Sequence, residues 1–160
     1  MTIKVGDKIP SVTLQHMTAD GVADITTDEI FQGKRVALFA LPGAFTPTCS
    51  AKHLPGFVAN AEAIKAKRVD TIACVSVNDA FVMNAWGEDQ GAGGKVLMLA
   101  DGSAKLAAAL GVELDLGERG LGVRSRRYSM IVDGGVVKTL NLEEAGGYEV
   151  SGAETLLGQL

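Results

Sequence analysis

Two apolar runs of strand length, separated by one helical stretch, constrain this chain more than anything else in it. The runs are RVALFAL, from Arg35 to Leu41, and DTIACVSVN, from Asp70 to Asn78. Both are continuous and partly β-branched, the pattern of strands covered on both faces. The intervening SAKHLPGFVANAEAIKAKR repeats Leu54, Phe57, Val58, Ala61 and Ile64 at helical spacing, with Asn60, Glu62, Lys65 and Lys67 placed to face water. That spacing predicts one amphipathic helix. Pro55 has no backbone donor and crowds the carbonyl of Ala51, so a short first turn near Cys49 and then a kink are expected. Strand, helix and strand of this length form a right-handed βαβ unit with parallel strands.

The later segments extend this unit. DAFVMNAWGED reads as a helix with Asp79 near its cap, KVLMLAD as a strand, and SAKLAAALG as a short helix with Ser103 as cap and Gly111 as stop. RRYSMIVDGGVVKTLNL reads as two strands around Asp133-Gly134-Gly135, a hairpin signal, and GAETLLGQL as a short closing helix. The expected fold class is α/β, a mixed central sheet flanked by helices. With no long linker, low-complexity tract or repeat, residues 1–160 read as a single domain, long enough to bury roughly 70% of the surface the unfolded chain exposes.

Composition excludes several functions. No stretch approaches the roughly 20 apolar residues of a membrane-spanning helix, so no membrane association is expected. MTIKVGDKIP has neither a secretory apolar core nor an Arg/Ser-rich amphipathic pattern, which makes the expected location cytoplasmic. A net charge of −4 repels phosphate backbones at long range, and RSRRYS, with Arg124, Arg126 and Arg127, is the one basic cluster. Nucleic acid is not an expected partner. GEDQGAGGKV is glycine-rich, but Asp89 and Val96 stand where a phosphate loop needs Gly and Ser or Thr.

Two cysteines in 160 residues are not a disulfide framework, so each is considered singly. Cys49 falls where the first strand of the βαβ unit feeds its helix. Free N–H groups and the positive end of the helix dipole favour an anion there, so its thiolate is expected to be stabilised. Thr46 stands three residues earlier, where a C-x-x-C motif would have its other cysteine, and its hydroxyl can bond to the thiolate or to a bound oxygen. Pro42 and Pro47 stiffen the loop, and Pro42 could shield the sulfur from water. Cys49 and His53 are four apart, like a metal-ligand pair, but zinc needs at least three protein ligands and neither Cys74 nor His16 has supporting spacing, so no metal is expected.

PGAFTPTC as a whole resembles the P-x-x-x-T-x-x-C active-site motif of peroxiredoxins, with Pro42, Thr46 and Cys49 in the motif positions. KHLPGF, ACVSVNDAFVMNAW, GKVLMLAD and RRYSMIVDGGVVKTLN resemble blocks of the peroxiredoxin five subfamily, also called type II, so that the resemblance covers nearly the whole chain. It implies a thioredoxin-like fold and thiol-dependent reduction of hydrogen peroxide and alkyl hydroperoxides, with no cofactor. Cys49 would be the peroxidatic cysteine, attacking a peroxide oxygen to give sulfenic acid. Thr46 would orient the peroxide and Pro42 would limit solvent. Strand alternation puts Arg126 on the face shared by Tyr128, Met130 and Val132 and points Arg127 the other way, but leaves open which face looks at Cys49. The resemblance assigns the catalytic arginine to Arg127, whose guanidinium stays charged and offers several donors to the two peroxide oxygens.

A sulfenic acid must then be reduced. The subfamily's C-terminal resolving cysteine is absent, with Val150 or Ser151 about where it would be expected. That leaves a one-cysteine cycle using glutathione with glutaredoxin, which is the preferred reading, or a Cys49–Cys74 disulfide reduced by thioredoxin. Cys74, mid-strand, reads as a buried core thiol. The resemblance also implies a homodimer with Phe45, Phe81 and Trp86 near its contact. The competing classes are a general disulfide oxidoreductase, which usually wants C-x-x-C rather than T-x-x-C, and a redox sensor, which would oxidise at Cys49 without turnover.

Overall fold

The computed structural model describes residues 1–160. A hairpin of β1 (Thr13–Thr18) and β2 (Gly21–Thr26) leads through α1 (Thr27–Phe31) into β3 (Arg35–Ala40). A π-helical turn, Cys49–His53, runs on into α2 (Leu54–Ala59) and α3 (Ala61–Ala66). There follow β4 (Thr71–Ser76), α4 (Ala80–Asp89), β5 (Leu97–Ala100), α5 (Lys105–Leu110), a small antiparallel pair of β6 (Glu113–Leu116) and β7 (Gly122–Ser125), then β8 (Tyr128–Asp133), β9 (Val136–Leu142) and α6 (Ala153–Leu157). The seven-stranded sheet has the order β2-β1-β5-β4-β3-β8-β9. Its centre, β3, β4 and β5, is parallel, as the βαβ pattern requires, and β8 adds to β3 antiparallel. The sheet is therefore mixed, with helices on both sides.

Strand alternation sorts the side chains into two layers. Ala37, Phe39 and Leu41 face one way, with Cys74, Ile131 and the inner sides of α2, α3, α4 and α6. Val36, Leu38 and Ala40 face the other, with Tyr128, Met130, Val132, α1 and α5. The β8–β9 turn places Gly134 and Gly135 at φ 58° and 85°, the two positive values that a two-residue hairpin loop of matching twist demands.

Two local expectations are corrected. The single helix after Cys49 is broken at Asn60, whose φ and ψ are −99° and 7° and whose Nδ2 donates to the Gly56 carbonyl at 2.8 Å, beside its own N–H at 3.1 Å. The kink before Pro55 takes the form of the π turn: Leu54 N–H donates to the Cys49 carbonyl, five residues back. The turn is thus wide just where the proline ring crowds the Ala51 carbonyl. The N-cap position of α5 is Ala104 rather than Ser103, and the side chain that caps the helix is that of Asp101. Ala104 turns left-handed at φ 56°, so the helix starts at Lys105, and the Asp101 carboxylate accepts from the N–H groups of Leu106 and Ala107 at 3.0 and 3.1 Å. Burial pushes the Asp101 carboxyl up, while these bonds pull it down.

Candidate active site

The end of β3 delivers the loop Leu41–Thr46 to the top of the sheet, and two long-range bonds fix it there. Ala44 N–H donates to Asn78 Oδ1 at 2.9 Å, an oxygen held in place by Ser76 Oγ donating to it at 2.7 Å, and Arg124 Nη1 donates to the Pro42 carbonyl at 3.1 Å. The last contact explains Gly43: a Cβ there would lie 2.5 Å from Arg124 Nη1, so any side chain would displace the arginine. Thr46 Oγ1 donates to the Gly43 carbonyl at 2.7 Å. Its proton is committed to the loop, and its lone pairs are left to accept from elsewhere.

Cys49 is in the first helical turn after this loop and only 1% exposed. Arg127, immediately before β8, reaches it from the neighbouring strand, with Nη2 donating to Cys49 Sγ at 3.3 Å. Tyr128, Met130 and Val132 pack on the far layer, so Arg127 is on the layer of Cys49, which settles what alternation leaves open. Arg124 and Arg126 are engaged elsewhere, the latter donating from Nη2 to the Glu143 carbonyl at 2.7 Å.

His53, one turn after Cys49, is fully buried between Phe39 and Tyr148, with ring centroids 5.1 and 5.2 Å away. Its Nδ1 lies 2.9 Å from Arg127 Nη1 and its Nε2 3.0 Å from the Ser151 carbonyl, so both nitrogens that a metal could use are taken. Burial, with Arg127 beside it, lowers its pKa to about 3. The Tyr148 ring also lies under the Arg127 guanidinium, 5.6 Å from its central carbon. Beyond Ser151 is Glu143, buried, whose Oε2 accepts from the N–H groups of Glu149, Val150 and Ser151 at 2.8, 2.8 and 2.9 Å and from Ser151 Oγ at 2.7 Å. Burial alone would raise its carboxyl, but these bonds outweigh it and hold the pKa below the usual range. The chain of His53, Ser151 and Glu143 carries no sequence motif. The only signal available was a pair of polar residues, Glu143 and Ser151, at the two ends of a stretch whose intervening residues 144–150 are exposed or half-buried.

Cys74 sits mid-strand in β4, 0% exposed, aligned with Phe39 on β3 and Met98 on β5. Burial pushes its thiol well up and the nearby Cys49 adds to this, with Arg127 only partly opposing. Both cysteines are free. Phe45 and Phe81 are 54% and 69% exposed, whereas Trp86 is fully buried and donates from Nε1 to Ser50 Oγ at 2.9 Å. Trp86 is thus excluded from any outer surface of the chain, and the exposed aromatics are the two phenylalanines.

Comparison with known proteins gives concordant results. The Redoxin family profile matches residues 4–157. A chloroplastic peroxiredoxin-2E-2 of Oryza sativa subsp. japonica is 57% identical over 99% of this chain and 73% of that protein. A chloroplastic peroxiredoxin-2E of Arabidopsis thaliana is 52% identical over 99% of this chain and 70% of its own length. Among solved structures, reduced Prx3 of Vibrio vulnificus in complex with hydrogen peroxide superposes with a TM-score of 0.95 at 54% identity, covering 99% of both chains.

Proposed function

The chain belongs to the peroxiredoxins of the Redoxin family, and from that premise we propose how its own residues carry the reaction. It is a thiol peroxidase with the thioredoxin-like fold of that family, an oxidoreductase that reduces peroxides. Cys49 is the peroxidatic residue: its thiolate sulfur bonds to one peroxide oxygen, the O–O bond breaks, and the departing oxygen takes up a proton to leave as water or an alcohol. The sulfur is left as sulfenic acid. The observation that carries this assignment is the Arg127 Nη2 donor 3.3 Å from Cys49 Sγ, inside a site with almost no solvent. A fixed guanidinium there stabilises negative charge first on the sulfur and then on the breaking O–O bond.

Thr46 acts as an acceptor for the peroxide O–H, because its own proton is held by Gly43. Pro42, held by Arg124 through its carbonyl, is half-buried at the mouth and limits water. The sulfenic acid is reduced in a one-cysteine cycle by an outside thiol, glutathione with glutaredoxin, rather than through Cys74. In support, Cys74 is fixed at the middle of a central strand and its thiol is held protonated by burial. A disulfide to it would need α-carbons within about 7 Å and therefore loosening of the strand, after which thioredoxin would be the reductant.

The protein works as one domain spanning residues 1–160 and as a homodimer, for which exposed Phe45 and Phe81 are the natural contact. No helix is long and apolar enough to cross a membrane. Two unpaired thiols suit a reducing compartment, on our reading the cytoplasm, although two relatives are named as chloroplastic. One experiment tests the cycle: peptide mass spectrometry after one equivalent of hydrogen peroxide, with a sulfenic-acid trap and no added thiol. Trap on Cys49 with Cys74 free is expected. A Cys49–Cys74 linked peptide would replace the one-cysteine cycle, and no modification at Cys49 would overturn the site.

A further inference from the structure

We propose that Glu143 and His53 are positioning residues that aim Arg127 at Cys49 while leaving its charge uncancelled. The proposal rests on the assignment of Arg127 above.

The hydrogen bonds fix the protonation pattern without ambiguity. The Ser151 carbonyl can only accept, so His53 Nε2, 3.0 Å away, carries the ring proton. The Arg127 guanidinium can only donate, so Nδ1, 2.9 Å away, presents its lone pair. His53 is therefore a neutral acceptor, in agreement with its depressed basicity in this buried place beside a cation. With Nη1 tied to His53, the planar fork has no freedom to rotate, and Nη2 is directed at Cys49 Sγ.

A carboxylate at position 53 would orient the fork as well, but it would form an ion pair and compete with the thiolate for the same positive charge. A neutral imidazole avoids that competition. The negative charge is placed further out instead, at Glu143, which never touches the guanidinium and acts on the backbone. Its four bonds fold Glu149–Ser151 so that the Ser151 carbonyl points at His53. The loop is closed through the main chain, because Glu143 N–H donates to the Arg127 carbonyl at 3.0 Å. Glu143 thus holds both ends of the path that runs from Arg127 through His53 to Ser151.

The test joins a spectroscopic reading of the ring with a rate. Nitrogen-15 NMR of histidine-labelled protein at pH 7 should show His53 neutral with the proton on Nε2, and Glu143→Gln should mix the two tautomers. Trapping of Cys49 sulfenic acid under limiting hydrogen peroxide should be about tenfold slower in His53→Leu and in Glu143→Gln, the loss expected for a bond to a charged group. His53→Gln, whose amide oxygen can still accept from Nη1, should recover most of the rate. If Glu143→Gln does not fold, the two His53 variants decide alone. Equal rates in His53→Leu and wild type, equal losses in His53→Leu and His53→Gln, or a proton on Nδ1 would each overturn the proposal. Slowing by Arg127→Gln alongside any of these would leave the assignment of Arg127 standing, and an unchanged rate in Arg127→Gln would remove both.

Discussion

Cys49 and Cys74 share one apolar cluster, on one layer of one sheet, and both are buried. They differ in the backbone that carries them. Cys74 is in a strand paired in parallel on both sides, and burial pushes its thiol up. Cys49 is in the first helical turn after a loop, and an arginine from the adjacent strand points a donor at its sulfur. Burial therefore does not separate the thiol proposed as reactive from the one proposed as inert. What separates them is whether a charged donor has been buried with it.

The largest test of that contrast is substitution. Cys49→Ser should lower thiol-dependent peroxide consumption at least about a thousandfold, whereas Cys74→Ala should stay within about threefold of wild type. Comparable losses in both would erase the distinction. Next in size, Arg127→Gln should slow Cys49 oxidation about a hundredfold in a rapid-quench assay, since it removes the preorganised donor. Thr46→Val, which keeps the shape but loses the acceptor, should cost about tenfold in the same assay.

The smallest effect sharpens the other side of the comparison. Because the folded-state pKa of Cys74 is raised, the native protein keeps that proton above pH 9 where the unfolded chain releases it. Stability should be unaffected below that value and fall as pH rises above it, by up to about 1.4 kcal/mol per pH unit for this one group. Denaturant unfolding at pH 8, 9.5 and 10.5 should show a shallower alkaline decline in Cys74→Ala. Parallel declines would mean that Cys74 is not the group held protonated.

The central βαβ unit, the β8–β9 hairpin and the place of Cys49 were legible in the sequence, because each rests on local pattern: apolar runs, a helical stripe, Asp-Gly-Gly. The β1–β2 hairpin was not, since TLQHMT and GVADIT are at a sheet edge where only Leu14 is fully buried. The β6–β7 pair, half-exposed and short, gave as little signal. Pro42, Thr46 and Cys49 stand in one short stretch, the loop after β3 and the turn that follows it, and can be read together. Arg127 could be named only through the family resemblance, because pairing across 78 residues depends on which layer each strand face joins. Glu143 and Ser151 were invisible for the same reason. Their role is defined by hydrogen bonds to main-chain atoms, which leave no residue-type signature.

The π turn has a consequence for how the helix tolerates changes in length. In a regular α-helix each residue advances the face by about 100°, so one deletion turns everything beyond it out of phase. Removing exposed Ala63 from α3 would swing Ile64 away from the core by that angle. The π turn, by contrast, holds one residue more than an α turn between Cys49 and Leu54. Deleting exposed Ala51 there would leave Leu54 bonded to the Cys49 carbonyl in ordinary α register, at the cost of bringing the Pro55 ring against the Ser50 carbonyl. The direction of the cysteine relative to the buried stripe of Leu54 and Phe57 would be kept. The site thus sits on the one turn of this helix that can change length without changing aim.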